Sequence, residues 1–332
     1  MAIHPKDALQ SGERVVPILP VCEHYAGNER FILKALEHQR SAPFAFDVTM
    51  DLEDGAPVGE ERRHAEMVAD LLCQLPADHP GRVGVRIHDI RHPHFFEDVR
   101  AIVRGVGDKL SYVVLPKAKN RGDVEFMSGL LQEIAKDTGR EAMWPLHVLI
   151  ESQRALADVF SIAAHPDIET LDFGSMDFIS DHGGAIPSAC LRAPDQFEHA
   201  LMRRAKTELV SAALLYGVVP VHNVTSDVKD PNAAFRDAHR ARQEFGFLRM
   251  WSIHPGQVEP ITRGMSPDHR EAERCALILK QAQEADWGPI RFEDELHDRA
   301  SYRLAWSALQ RSRLAAIQLP TWVEDRFFPP TG

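Results

Sequence analysis

Charged and amide side chains follow seven short apolar segments of the chain, at the point where each segment ends. In chain order these residues are Asp51, Glu53 and Asp54; Arg86 and His88; Lys117; Glu151; Asp177 and Asp181; Asn223; and His254. For Asp177, Asp181 and Asn223 a helix N-cap is an equally good interpretation, whereas glutamate, arginine and lysine are not N-cap residues. The set as a whole therefore indicates a functional site, provided that the fold brings the seven segment ends together.

The chemistry that these residue types favour is metal-assisted. Carboxylates gathered in one place repel one another, and their pKa values rise unless a cation lies among them. Two carboxylates with water ligands suit octahedral Mg²⁺, with Mn²⁺ as an alternative. Zinc is disfavoured, because no thiolate lies in these motifs and His254 has no second imidazole at ligand spacing. We interpret the histidines of IHDIRHPHFF as loop residues rather than metal ligands.

Eight apolar segments with the composition of β-strands alternate with seven amphipathic helical patterns. Strands are predicted at 15–20, 44–54, 82–89, 112–118, 145–152, 170–177, 218–224 and 247–255. Helices are predicted at 30–39, 60–74, 95–106, 123–138, 155–164, 194–216 and 232–245. Strict alternation indicates parallel strands with right-handed crossovers, and eight units predict an α/β fold of the (β/α)8 TIM-barrel type. An open doubly wound sheet is the alternative.

A barrel places the carboxyl ends of all its strands at one mouth, so the polar residues would meet there. We predict a catalytic barrel domain over residues 1–263. From residue 264 the pattern contains helices and no further strand, so residues 264–332 are predicted to form a helical extension. Its Trp322, Phe327 and Phe328 would expose apolar surface in isolation, and we expect the extension to pack on the barrel or on a neighbouring subunit.

Composition excludes several classes of protein. The formal net charge of −11 argues against nucleic-acid and anionic-membrane partners. The start of the chain lacks a cationic and apolar leader, and no apolar run approaches the roughly 20 residues of a membrane helix, which predicts a cytoplasmic protein. The four cysteines form no CxxC pair, and the chain has no Walker A or GxGxxG motif, so neither a redox motif nor nucleotide chemistry is indicated.

Seven short motifs in order give the chain a family resemblance. They are DLEDGA, VRIHD, VLPKA, VLIESQRAL, LDFGSMDFISDHG, VHNVTSDVKD and SIHPGQ. Together they resemble the citrate lyase β-subunit and malyl-CoA lyase branch of the HpcH/HpaI aldolase family, over roughly residues 14–298. The resemblance implies an Mg²⁺-dependent carbon–carbon lyase, acting on a 2-oxo acid and an acyl thioester of coenzyme A or a carrier protein, and assembled as a homotrimer or hexamer.

The resemblance also assigns roles to residues. It implies that Glu151 and Asp177 hold the metal, that Glu53 and Asp54 hold its water ligands, and that Arg86 contacts the substrate carboxylate.

Further residues of these motifs complete the predicted site. Gly174, Ser175 and Met176 of the FGSMD segment are assigned to substrate binding, and Lys117 is expected to stabilise carboxylate or enolate charge. A late aspartate contributed by a neighbouring subunit matches Asp298, with Asp294 and Glu295 as alternatives.

The identity of the substrate stays open between alternatives. The first strand of this branch is followed by small and basic residues suited to a thioester, whereas Glu23 and His24 stand here, and His182 replaces a leucine in DHGGAIP. The first hypothesis is a lyase for a carboxylated 3-hydroxyacyl thioester of the citryl or malyl type. The second is an aldolase that cleaves free 4-hydroxy-2-oxo acids to pyruvate and an aldehyde. The third is a barrel that binds oxo acids without turnover.

Overall fold

Eight parallel strands close into a barrel in the computed structural model, which describes residues 3–9, 15–55, 58–230 and 232–329. The strands are β1 Cys22–Ala26, β2 Asp47–Asp51, β3 Val83–Arg86, β4 Tyr112–Leu115, β5 Leu146–Ile150, β6 Ile168–Phe173, β7 Val219–His222 and β8 Arg249–Ser252. Each pairs with its sequence neighbours, and β8 pairs with β1 to complete the barrel. The predicted TIM-barrel fold is confirmed.

Helices cover the outside of the barrel and form the C-terminal extension. They are α1 Pro5–Ala8, α2 Glu29–Ser41, α3 Glu61–Cys73, α4 Phe95–Asp98, α5 Arg121–Thr138, α6 Gln153–Ala157, α7 Val159–Ala163, α8 Ser175–Asp181, α9 Asp195–Glu198, α10 Ala200–Leu215, α11 Ala233–Arg240, α12 Pro255–Met265, α13 His269–Glu284, α14 Arg299–Leu314 and α15 Thr321–Phe327. Two predicted helices continue as π-helical turns, at Val99–Arg104 and Ala241–Phe245. None of the described helices is long and apolar enough to cross a bilayer.

The first strand lies later than the sequence predicts. Residues 15–20 contain Pro17 and Pro20, which cannot donate the backbone hydrogen bonds that a strand with neighbours on both sides requires. The strand is Cys22–Ala26 instead, and it pairs with both β2 and β8. Its polar Glu23 and His24 hid it from a search for apolar segments.

The C-terminal extension contains a hairpin as well as helices. The expectation of no further strand is wrong, because β9 Ile290–Phe292 pairs antiparallel with β10 Glu295–His297. Helices α13 to α15 enclose their own apolar cluster, to which Leu9 near the amino terminus contributes. The backbone amide of Ala45 donates to the carbonyl of Leu314, which ties the end of α14 to the segment before β2. The final residues 330–332 and Ala56 of the DLEDGA motif lie outside the described residues.

The barrel interior is ionic where branched apolar residues usually fill it. Alternate residues of a strand point to the same face, and several inward-pointing side chains are buried charges. Arg249 on β8 pairs with Glu23 on β1 and with Asp47 on β2, and all three side chains are fully buried. One step nearer the carboxyl ends, the rings of Tyr25 and Trp251, which belong to a second apolar cluster, lie between these charges and the mouth.

Candidate active site

A cavity of about 210 Å³ opens at the carboxyl ends of the barrel strands. Its walls are formed by Tyr25, Asp51, Asp54, Arg86, Glu151, Phe173, Gly174, Ser175, Met176, Asp177, Asn223, Val224, Trp251 and Ile253. The barrel therefore brings together the two predicted metal ligands, Glu151 and Asp177, the predicted substrate-binding residues 174–176, and Arg86. It does so because β2, β3, β5 and β6 all end at this mouth.

Arg86 is held by carboxylates of the segment that follows β2. Its Nε and Nη2 donate to the two oxygens of Asp51, each at 2.7 Å. Nη2 also lies 2.9 Å from Asp54, and Nη1 lies 3.0 Å from Glu53. Burial opposes the charge of Arg86, but the Asp51 carboxylate outweighs it and raises the pKa of the guanidinium. Arg86 is therefore a fixed cation in the cavity wall.

Lys117 connects the two acidic groups of the site. Its Nζ lies 2.6 Å from Oε1 of Glu53, and its backbone amide donates to Glu151. The second contact requires a φ of +50° at Lys117, a conformation that non-glycine residues seldom adopt. Burial raises the pKa of the Glu53 carboxyl although Arg86 and Lys117 lower it. The strained backbone of Lys117 thus orients Glu151 while its side chain neutralises Glu53.

Glu151 and Asp177 face the same cavity, but the groups that surround the two carboxylates differ. Burial, followed by the charges of Glu53 and Asp177, raises the pKa of Glu151 to about 8. Gly174 leaves room for this carboxylate, since a Cβ there would lie 2.6 Å from Oε2 of Glu151. Asp177 lies in the first turn of α8. A buried carboxylate whose charge is poorly compensated, with a second carboxylate on the same cavity wall, suits a hard cation, as the sequence predicts.

Asp298 does not reach the cavity of its own chain. Its carboxylate caps α14 by accepting from the backbone amides of Ala300 and Ser301. The hairpin residues Asp294 and Glu295 are exposed and pair with arginines of the extension. A role for Asp298 in a neighbouring subunit's site stays a prediction.

Seven residues of the cavity wall had no predicted role, and they are Tyr25, Asp51, Phe173, Asn223, Val224, Trp251 and Ile253. Tyr25 was missed because β1 was predicted too early, and Trp251 because it lies within the apolar segment 247–255 rather than at its polar end. Tyr25 stacks on Trp251 with ring centroids 4.8 Å apart and lies beneath Arg86. Asp51 and Asn223 were singled out at the ends of predicted strands, but neither was given a role in the site.

Glu23, His24 and the histidine loop lie elsewhere. Glu23 is fully buried inside the barrel, and His24 is buried against Ser252, 3.0 Å from its hydroxyl. Neither side chain lines the cavity mouth. His88 pairs with Asp98 at 2.6 Å and stacks on His92 with ring centroids 4.1 Å apart.

Three known proteins are similar to this chain over most of its length. A solved citrate lyase structure from Burkholderia xenovorans LB400 is 44% identical, covers 98% of this chain and 100% of its own, and superimposes with a TM-score of 0.83. The L-malyl-CoA/beta-methylmalyl-CoA lyase of Cereibacter sphaeroides is 26% identical, over 82% of this chain and 88% of its own length. A Mycobacterium tuberculosis CitE structure in complex with magnesium, acetoacetate and coenzyme A shares the fold, with a TM-score of 0.66 and 21% identity, over 88% of this chain and 97% of its own.

These similarities confirm the predicted branch and the expectation of a lyase of the citrate lyase β-subunit and malyl-CoA lyase type. A sequence model of the family described as HpcH/HpaI aldolase/citrate lyase matches residues 38–255, a span that contains nearly every residue of the cavity wall. The chain belongs to the HpcH/HpaI aldolase/citrate lyase family.

Proposed function

We propose that the chain is a Mg²⁺-dependent lyase that cleaves a carboxylated 3-hydroxyacyl thioester, of the citryl- or malyl-CoA type, to a 2-oxo acid and an acyl thioester. The observation that carries the proposal is the meeting of Glu151, Asp177 and Arg86 on the wall of one small cavity. One metal ion held by two carboxylates, with a guanidinium nearby, suits a 2-oxo acid, since its carboxylate and oxo group present adjacent oxygens.

The residues present fit Mg²⁺. Glu151 and Asp177 offer oxygen donors only, and Glu53 and Asp54 stand near enough to the site to hold its water ligands. The raised pKa of Glu151 marks a buried carboxylate that lacks a neutralising partner. When bound, Mg²⁺ supplies Lewis acidity at the oxygens of the reacting carbon.

Arg86 has capacity for the substrate carboxylate. A guanidinium has five N–H donors, and four contacts to carboxylates are made here. Asp54 is the exposed partner, with 70% of its side chain accessible, so a substrate carboxylate can displace it at little cost. Asp51 then keeps the guanidinium in position from behind.

The cleavage needs a base and a group that accepts developing charge. We assign the base to Asp298 of a neighbouring copy, which takes the proton of the 3-hydroxyl as the carbon–carbon bond breaks. The electron pair of that bond passes to the acyl thioester as an enolate, which is then protonated at carbon. Lys117, whose pKa the Glu53 carboxylate raises against the effect of burial, is the nearby cation for this charge.

The cavity favours a thioester over a bulky free acid. At about 210 Å³ it is smaller than the several hundred Å³ of ordinary ligand pockets, so it holds a short oxo acid while a longer arm leaves through the mouth. Met176 and Ile253 form a half-exposed apolar edge for that arm. Glu23 and His24 are buried away from the mouth, so they do not obstruct such an arm. Aldol cleavage of a free 4-hydroxy-2-oxo acid is the alternative.

Binding and turnover test the proposal separately. Isothermal titration of oxaloacetate and pyruvate, with Mg²⁺ and with excess chelator, should show binding only with the metal, and none to Asp177→Ala. Asp181→Ala is the matched control, since Asp181 lies on the same helix outside the cavity wall. Release of 2-oxo acid from malyl-CoA but not from a free 4-hydroxy-2-oxo acid supports the thioester. The reverse preference supports the aldolase, and metal-independent binding contradicts the site.

A further inference from the structure

A second cluster of ionisable side chains lies inside the barrel, beneath the active-site cavity. We call it the interior cluster, and its members are Glu23, Asp47, Arg82, His147, Glu169, Asp172 and Arg249. Tyr25 follows Glu23 by two residues and Trp251 follows Arg249 by two, so both aromatic rings lie one layer nearer the mouth. The cavity and the interior cluster are therefore separate sites, and the proposed reaction uses no member of the cluster.

The imidazole of His147 is oriented as metal-binding imidazoles are. Its Nε2 lies 2.9 Å from Oε2 of Glu169, while its ring stacks on Tyr112 with centroids 3.9 Å apart. A proton on Nε2 donates to Glu169 and leaves the lone pair of Nδ1 free, the arrangement by which a carboxylate fixes the tautomer of a metal ligand. Nδ1 is buried and makes no hydrogen bond, since Glu23 Oε2 is 3.5 Å away.

Two carboxylates present oxygens near this nitrogen. One oxygen of Asp172 lies 3.2 Å from Nε1 of Trp251, whereas Oδ1 is buried without a hydrogen-bond partner. One ligand atom each from Glu23, His147 and Asp172 lies within 4.8 Å of the others. The hydroxyl of Thr170, on the same face of β6 as Asp172, is also buried without a partner. Unsatisfied polar atoms in a dry interior are costly, and here they are grouped.

The charge of the interior cluster indicates what fills it. Four carboxylates, Glu23, Asp47, Glu169 and Asp172, face two guanidinium groups, Arg82 and Arg249. With His147 neutral the sum is two negative charges, which one divalent cation balances. Two added protons, one of them on His147, would balance it as well, because against the effect of burial the charges of Glu23 and Glu169 raise the pKa of His147 to about 9. A metal ion at Nδ1 must therefore displace that proton.

We propose that Glu23, His147 and Asp172 bind a divalent transition-metal ion inside the barrel. An imidazole with two carboxylates suits Zn²⁺ or Mn²⁺, whereas Mg²⁺ prefers oxygen donors alone. Thr170 or a water completes the coordination. The ion is structural, since it joins β1, β5 and β6, and the rings of Tyr25 and Trp251 lie between it and the substrate.

Metal content measures this site apart from the active site. The protein is produced in medium with Zn²⁺ or Mn²⁺, dialysed against EDTA, and assayed by plasma mass spectrometry. The double variant Glu151→Gln/Asp177→Asn, which removes both proposed metal ligands of the active site, should retain one metal ion per chain. Adding His147→Gln or Asp172→Asn to this double variant should abolish the bound metal. Adding His269→Gln, which changes an exposed histidine of α13, should leave the metal in place.

A second measurement decides the matter if the interior variants do not fold. The double variant loaded with Co²⁺ should show the visible absorption bands of a cobalt ion that has nitrogen and oxygen ligands. Absence of these bands, together with no metal retained by the double variant after dialysis, would overturn the proposal and leave the two-proton state. Failure of the proposed lyase reaction changes neither result, because the assays involve no substrate.

Discussion

At the scale of single residues, we expect the proton on Glu151 to control the proposed binding of Mg²⁺. Its pKa of about 8 reflects burial first and the charges of Glu53 and Asp177 next. A carboxyl must lose its proton to ligate a metal, so binding releases that proton. We expect the affinity for Mg²⁺ to rise about tenfold per pH unit until about pH 8 and to level off above it. Titration calorimetry across this range, in buffers of different ionisation enthalpy, measures both the affinity and the proton release.

The metal-free protein should show the opposite trend in stability. Between pH 4.5, the ordinary pKa of a glutamate side chain, and about pH 8, folded Glu151 holds a proton that the unfolded chain has released. The free energy of unfolding therefore falls as the pH rises through this window. Denaturant unfolding in chelator should show this slope for the wild type and a flatter one for Glu151→Gln. A Mg²⁺ affinity independent of pH in the wild type would contradict the assignment of Glu151 as a ligand.

Arg86 should be needed for its fork of donors as well as for its charge. Arg86→Lys keeps the charge but cannot donate to Asp51 and to a substrate carboxylate in parallel. We expect the binding of oxaloacetate to weaken by roughly 2 kcal/mol, or about thirtyfold. Arg91→Lys is the matched control, since Arg91 is half exposed, pairs with Asp123 and lies outside the cavity wall. Equal weakening by both variants would show that the guanidinium fork of Arg86 is not what binds oxaloacetate.

At the scale of elements, the turn between β6 and α8 sets the positions of the two proposed metal ligands, Glu151 and Asp177. A Cβ on Gly174 would lie 2.6 Å from both Cβ and Oε2 of Glu151, so Gly174→Ala must displace that carboxylate. We expect this variant to fold and to lose most of its affinity for Mg²⁺. Gly129 on the exposed face of α5 meets no atom within 4 Å, and Gly129→Ala should stabilise the protein by about 0.5–1 kcal/mol. Titration calorimetry with Mg²⁺ and thermal unfolding, each carried out on Gly174→Ala and on Gly129→Ala, test these two predictions.

Most strands and the mouth of the barrel could be predicted from the sequence, because apolar segments ending in polar residues are a strong local signal. The elements that the prediction missed are those in which tertiary context outweighs local pattern. Cys22–Ala26 is a strand whose Glu23 is tolerated only because Arg249, far along the chain, neutralises it. The hairpin of the extension turns at Glu293 and Asp294, which adopt φ of +47° and +65° without the glycine or asparagine that usually marks such a turn.

At the scale of the whole molecule, the described wall of the cavity brings together two proposed metal ligands and a guanidinium, but it offers no further carboxylate to act as a base. The carboxylates in its wall are either paired with Arg86 or assigned to the metal. The extension has its own apolar cluster and exposes Leu296 and Leu304 near Asp298 in the chain. This arrangement fits a site that is completed by a neighbouring copy, as the predicted trimer or hexamer would allow.

Paired inactive variants should reveal such a shared site. Asp298→Asn keeps an N-cap residue on α14, so it should fold and yet lack the proposed base. Asp177→Asn lacks a metal ligand but has an intact Asp298. Each homo-oligomer should be inactive on malyl-CoA, whereas co-expressed mixtures should regain activity, because some sites then combine an intact mouth from one copy with Asp298 from another. Asp298→Ala, which loses the cap as well, should unfold more easily than Asp298→Asn by about 1 kcal/mol. Full activity of Asp298→Asn alone would remove this residue from the mechanism, and mixtures as inactive as their parents would place every catalytic group in one chain.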